Sequence, residues 1–121
     1  MFELSKQFRF ESAHTLERII ETEPSRRIHG HSYRTEVTVR GDVDVKTGMI
    51  VDLGVFERAL NEARDALDHH LLDDVPDLGP ATLENLSAWI WKKVTPVVPG
   101  LSRVTVYRDS NGEHCSYLGP S

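Results

Sequence analysis

The chain of 121 residues contains one cysteine, Cys115. A single thiol excludes an intrachain disulfide and points to a reducing compartment. Long apolar runs are missing as well: nowhere do eighteen apolar residues stand together, so no segment qualifies as a membrane-spanning helix. The stretch Met1-Phe2-Glu3-Leu4-Ser5-Lys6 has no apolar centre of the kind a secretory leader needs. Basic charge is scarce. Fourteen Lys and Arg stand against nineteen Asp and Glu, a net charge of -5. Arg26-Arg27 reads as a solvated loop pair, and no run of lysines and arginines makes a basic patch. These absences argue against nucleic-acid and membrane partners and predict a cytoplasmic protein. The length allows one core and is too short for two ordinary domains, so residues 1–121 are expected to form one unit.

What is present is strong periodicity. Phe2, Leu4, Phe8 and Phe10 alternate with polar residues, the mark of a half-buried strand, and His14 keeps the parity of that face. From His31 the pattern recurs, with Tyr33, Val37 and Val39 on one face and Ser32, Arg34, Glu36, Thr38 and Arg40 on the other. The connection from Thr15 to Ile28 carries Pro24 and no clear period. Connections of that length tend to be functional or mobile.

Two helices are expected next. Asp52 can cap the first, with Leu53, Phe56, Leu60, Ala63 and Leu67 at helical spacing. Thr82 can cap the second, whose stripe is Leu83, Leu86, Trp89, Ile90 and Val94; Pro96, Pro99 and Gly100 end it. Trp89 and Trp91 read as packing residues. Val104 and Val106 begin a third strand and Cys115 to Leu118 a fourth, joined across the turn signal Ser110-Asn111-Gly112. The fold class is therefore α+β: a ββααββ order giving a four-stranded antiparallel sheet with two helices on one face. Such a sheet has two open edges, and closing several copies into a ring removes them. A homo-oligomer is the expectation.

Three histidines are hard to explain as packing: His14, ending Phe10-Glu11-Ser12-Ala13-His14, and the pair in His29-Gly30-His31. Residues two apart on a strand point to the same side. A zinc ion that does chemistry takes three protein ligands and keeps one position open. The bland alternative is two surface histidines and one core histidine. Gly30 is expected to spare the opposite face a crowding side chain and to let the backbone approach closely. A second cluster, Leu67-Asp68-His69-His70-Leu71-Leu72-Asp73-Asp74, reads by default as a charged loop. It also offers an imidazole oriented by a carboxylate, the usual general acid-base arrangement.

Five segments occur in order: Phe10-Glu11-Ser12-Ala13-His14, Arg27-Ile28-His29-Gly30-His31-Ser32-Tyr33, Gly48-Met49-Ile50-Val51-Asp52, Leu67 to Asp74, and Ala81-Thr82-Leu83-Glu84-Asn85-Leu86. So ordered, the chain resembles the 6-pyruvoyl-tetrahydropterin synthase and 6-carboxy-tetrahydropterin synthase family, over nearly its whole length. The short length and Trp89-Ile90-Trp91 through Pro99 resemble the bacterial branch of the queuosine pathway. The resemblance implies the tunnel fold, in which sheets close into a barrel and two trimeric rings stack into a homohexamer. It implies a Zn2+ cofactor on His14, His29 and His31, and a pterin substrate, 7,8-dihydroneopterin triphosphate, whose carbon-bound protons the zinc makes easier to remove. It also makes Asp68 and His69 two members of a catalytic triad.

The third member in the family is a cysteine four residues before H-G-H, and Ser25 stands there. A thiol is partly ionised near neutral pH, whereas a serine hydroxyl needs a neighbouring base or metal to activate it. The family also carries a Glu-Thr pair at the end of the third strand, whose glutamate holds the pterin ring. Counting forward from Val104 and Val106 places Arg108-Asp109 there; counting back from Cys115 and Tyr117 places Asp109-Ser110. Asp109 is the better candidate for the anchor and Glu113 the other. The expectation is a zinc-dependent pterin lyase, slow on the usual substrate. The alternatives are a changed reaction, such as retro-aldol removal of the side chain, and a pterin- or metal-binding protein without turnover.

Overall fold

A computed structural model describes residues 1–121. The alternation at the start of the chain runs on without a break into a thirteen-residue strand, β1 (Phe2–His14). Phe8, Phe10, Ser12 and His14 are all buried, so one parity of the strand turns inward over its second half. β2 (His29–Gly41) pairs antiparallel with it end to end, placing Tyr33 opposite Phe10, His31 opposite Ser12 and His29 opposite His14. β3 (Leu101–Arg108) pairs with β2, and β4 (Glu113–Tyr117) with β3, giving the order β1-β2-β3-β4 with every neighbour antiparallel. The third strand starts three residues before Val104. The fourth starts two residues before Cys115 and leaves Leu118 outside, exposed. The turn between them is a short 3-10 segment, Asp109–Asn111, closed by Gly112 at φ 68°, where a side chain would be strained.

The connection between β1 and β2 contains a single turn of helix, α1 (Thr22–Arg26), which buries Ser25. Five residues are too few to establish a helical period, and Pro24 sits in the first turn, where its missing N–H costs nothing. α2 (Leu53–Leu67) starts as expected: the Asp52 carboxylate accepts from the backbone N–H groups of Gly54 at 2.8 Å and Val55 at 3.1 Å. Such a cap contributes about 1 kcal/mol. Phe56, Ala59, Leu60, Ala63 and Leu67 are buried against the sheet. Leu53, assigned to that stripe by spacing, is exposed instead, because the first turn projects past the core and lies with Phe2, Met49 and Val51 at the surface.

α3 (Leu83–Val94) is capped by Thr82, whose hydroxyl accepts from the Asn85 N–H at 3.1 Å. Its buried face is Leu83, Leu86, Trp89, Ile90 and Val94, with Ser87 between. Trp89 donates its indole N–H to the Pro76 carbonyl at 3.0 Å, and Trp91 packs edge-on to Tyr117 at 5.3 Å, so both tryptophans are packing residues. α2 lies against β1 and α3 against β3 and β4. The core thus sits between one sheet face and two helices. No helix is long and apolar enough to cross a membrane. β1 and β4 are the free edges.

Candidate functional site: a three-histidine metal centre

The full-length β1–β2 register assembles the histidines. His14, the last residue of β1, lies directly opposite His29, and His31 follows two residues along the same face. Ring centroids are 4.5 Å (His14–His29), 4.8 Å (His14–His31) and 4.9 Å (His29–His31) apart. One nitrogen from each lies within 4.8 Å of the others.

The outer contacts set the tautomers. His14 Nδ1 donates to the Ala81 carbonyl at 3.0 Å and His29 Nδ1 to the Arg27 carbonyl at 2.7 Å. Each bond leaves Nε2 with its lone pair free. His14 Nε2 is fully buried and has no hydrogen-bond partner. A buried, unpartnered acceptor is costly unless something satisfies it. Burial lowers the pKa of His14, and burial followed by the nearby Arg108 charge lowers that of His31 to about 4. At neutral pH those rings are in the form that binds a cation. Three convergent imidazoles, two of them with backbone-anchored Nδ1 atoms, fit a divalent transition metal. Gly30 needs a different account from the one its position suggests. A Cβ there would meet only the Ser12 carbonyl, at an ordinary 3.6 Å, so the glycine relieves no clash. It does line the cavity beside His31, which its missing side chain keeps open.

Two cavities meet at His31. One, of about 440 Å³, is bordered by Ser25, His29, His31, Arg108 and Glu113, with Arg18 and Glu21 at its side. The other, of about 540 Å³, is bordered by Glu11, Gly30, His31, Ser32, His69 and His70. Asp68, just past α2, accepts from the Glu11 N–H at 2.9 Å and contacts His69 Nδ1 at 2.9 Å. His69, at φ 56°, donates its own N–H to the Glu11 carbonyl at 2.6 Å. Those bonds clamp the dyad to β1, and the Glu11 N–H, then His69, hold the Asp68 carboxyl below its ordinary range.

The other expected site residues are distributed unevenly. Ser25 borders the smaller cavity, but its hydroxyl is donated to the Thr22 carbonyl at 2.8 Å. Within one chain, Ser25 and His69 line different cavities. Asp109 is gripped by Arg34 in a fork of 3.0 and 3.1 Å, with Arg34 itself 3.7 Å over the Tyr107 ring, and it does not border the cavity beside His29. Glu113 does border it, paired with Arg108 at 2.5 Å. Arg108 went unrecognised as a site residue in the sequence, although its parity with Val104 and Val106 places it on the inward face. Asp73 was also missed. It accepts from the Thr15 N–H at 2.9 Å and from the Thr15 hydroxyl, pinning the chain just beyond His14.

A four-stranded antiparallel sheet backed by helices, with a three-imidazole centre at the end of its first two strands, defines an α+β protein built around a metal site. The sequence pattern of the family described as 6-pyruvoyl tetrahydropterin synthase matches residues 3–120, and the chain belongs to that family. It is 38% identical over 112 residues to the 6-carboxy-5,6,7,8-tetrahydropterin synthase of Synechocystis, covering 88% of this chain and 85% of that one. Human 6-pyruvoyl tetrahydrobiopterin synthase is 39% identical over 89 residues, which span 69% of this chain and 61% of the human protein. The solved 6-pyruvoyl tetrahydropterin synthase of Caenorhabditis elegans superposes with a TM-score of 0.86 at 24% identity, covering 98% of this chain and 96% of that one. The fold is thus the subunit fold of the tunnel-fold synthases.

The Asp68 clamp generates a pH prediction. A carboxylate whose pKa is depressed in the folded state stabilises the fold above its unfolded pKa, and that contribution is lost as pH falls through the folded value. Asp68→Asn should therefore lower the thermal midpoint at pH 7, by roughly 3–6 °C for a domain of this length. The gap from wild type should close as pH drops below the ordinary carboxylate value of 3.8. Calorimetry across pH 3 to 7 reads it.

Proposed function

We propose that the protein is a zinc-dependent pterin lyase of the tetrahydropterin synthase type, acting on 7,8-dihydroneopterin triphosphate or a related dihydropterin. The observation that carries this reading is the buried, unpartnered Nε2 of His14, aimed with His29 and His31 at one point. The Synechocystis and human relatives, both tetrahydropterin-type synthases by name, support the reaction class. Zinc bound there would supply Lewis-acid polarisation of an oxygen on the pterin side chain, acidifying the adjacent C–H bonds. The chain's own residues do the rest. His69 takes the proton, with Asp68 fixing its tautomer and orientation. Glu113 borders the cavity beside His29 and, with one oxygen paired to Arg108, can turn the other to the amino group of the ring, whereas Asp109 lies outside that cavity with both oxygens held by Arg34. Ser25 occupies the position of the family's cysteine. Its hydroxyl has no accessible anionic form and is committed to the Thr22 carbonyl.

That commitment also favours a second reading. With Ser25 tied down and His69 in the neighbouring cavity, the protein binds its pterin without turnover, or runs a reaction that needs no thiol, such as retro-aldol removal of the side chain.

Metal analysis of the purified chain should find about one zinc per chain. His29→Ala or His31→Ala should abolish it while leaving the assembly intact; a wild-type protein that refuses added zinc sinks the reading. Incubation with dihydroneopterin triphosphate and chromatography of the products separates the reactions. Wild type should be slow, and Ser25→Cys should raise the rate by at least about a hundredfold, the effect of one positioned acid-base group. A rate that does not respond to the cysteine favours the second reading. We also propose that the open edges of β1 and β4 are covered by copies of the chain in a homohexamer built as a dimer of trimers. Size-exclusion chromatography with light scattering should give six times 13.7 kDa, and a stable monomer at micromolar concentration excludes the assembly.

A further inference from the structure

Arg108 is the least expected group beside the histidines. Its side chain is only 14% exposed, and it borders the same cavity as His29 and His31. One terminal nitrogen contacts Glu113 at 2.5 Å, while its Nε is buried without any partner. The Tyr33 hydroxyl is also buried and unpartnered, on the residue next along the face from His31. A guanidinium carries five donors and no acceptor. It cannot meet the amino and N–H edge of a pterin, which itself donates; it requires an acceptor on the ligand.

The charge count says which kind. In this cavity Arg18 is offset by Glu21 at 3.5 Å and Arg108 by Glu113. The three imidazoles contribute no negative charge. A divalent ion on them would leave the cavity with two uncompensated positive charges, the largest local term in such a site. An acidic ligand balances that charge, and a guanidinium at the cavity wall is suited to carboxylate or phosphate oxygens.

We propose that Arg108 is a specificity-determining residue that takes an acidic substituent of the bound pterin, a carboxylate or a phosphate, at the wall of the cavity beside the metal centre. This rests on the zinc-dependent pterin reading above. Glu113 acts as the internal counter-ion that keeps Arg108 in place before the ligand arrives.

The test uses the zinc-loaded full chain and three probes: unsubstituted pterin, pterin-6-carboxylate and inorganic triphosphate. Calorimetric titration gives each dissociation constant for wild type, Arg108→Gln and Arg108→Lys, with zinc content and circular dichroism confirming that each variant is folded. Wild type should bind pterin-6-carboxylate at least about tenfold tighter than pterin, the worth of one charge-assisted hydrogen bond. Arg108→Gln should erase that preference while pterin itself still binds. Arg108→Lys should keep part of it, because an ammonium supplies charge without the fork. It also carries the test if the glutamine variant does not fold. Triphosphate that binds wild type and competes with pterin, but fails to bind Arg108→Gln, identifies phosphate as the group taken; a carboxylate preference without triphosphate binding identifies carboxylate. Equal affinities for the two pterins in wild type, or a preference that survives Arg108→Gln, overturns the role of Arg108 and leaves pterin binding standing. Failure of every probe to bind overturns both.

Discussion

The thirteen-residue pairing of β1 with β2 is the constraint on which the site depends. Strand side chains alternate, so a slip of one residue would send His14 to the face opposite His29 and His31. The buried set Phe8, Phe10, Tyr33 and Val37 prevents that slip, because the same shift would expose all of the hydrophobic side chains that cover the helices. Phe10 stacks on Tyr33 at 4.7 Å and Tyr33 stands edge-on to His31 at 5.8 Å, so the packed core passes directly into the histidine cluster. Metal geometry and core packing are set by one register.

The environment of the cluster then decides its chemistry. Backbone carbonyls from two distant segments, Ala81 ahead of α3 and Arg27 behind α1, accept from His14 and His29 and fix which nitrogen is free. Burial keeps His14 and His31 neutral. Around them, charge is arranged in pairs, Arg108 with Glu113 and Arg18 with Glu21, and the Asp68 carboxylate contacts His69 Nδ1. His69 and the Ser25 loop approach His31 from two different cavities. The residues that resemble a catalytic triad are thus held by separate local devices: a five-residue helix for Ser25, and a backbone clamp onto Glu11 for Asp68 and His69.

Much of this was legible before any coordinates. Alternation over Phe2 to His14 and over His31 to Val39 identified the long strands, and the spacing in α2 and α3 with their Asp52 and Thr82 caps located both helices. These signals are local. The short α1 left no trace, since one turn has no period, and Leu53 was misplaced because spacing cannot tell where a helix overhangs its core. The His-x-His pair and the parity of His14 were visible as a metal-site pattern for the same local reason.

What the sequence determined by itself was therefore which residues share a face: His29 with His31, Phe8 with Phe10 and His14, Val104 with Val106. Backbone geometry alone enforces that. Only the tertiary structure decided which faces meet and what each charged group finds on arrival. Asp109 and Arg108 are neighbours in sequence, yet one is captured by Arg34 beside Tyr107 and the other turns inward beside the histidines. No local rule separates them, because the partner that claims Asp109 lies 75 residues away on β2. The cavity that Arg108 enters exists only once β2, β3, β4 and α1 have closed around it.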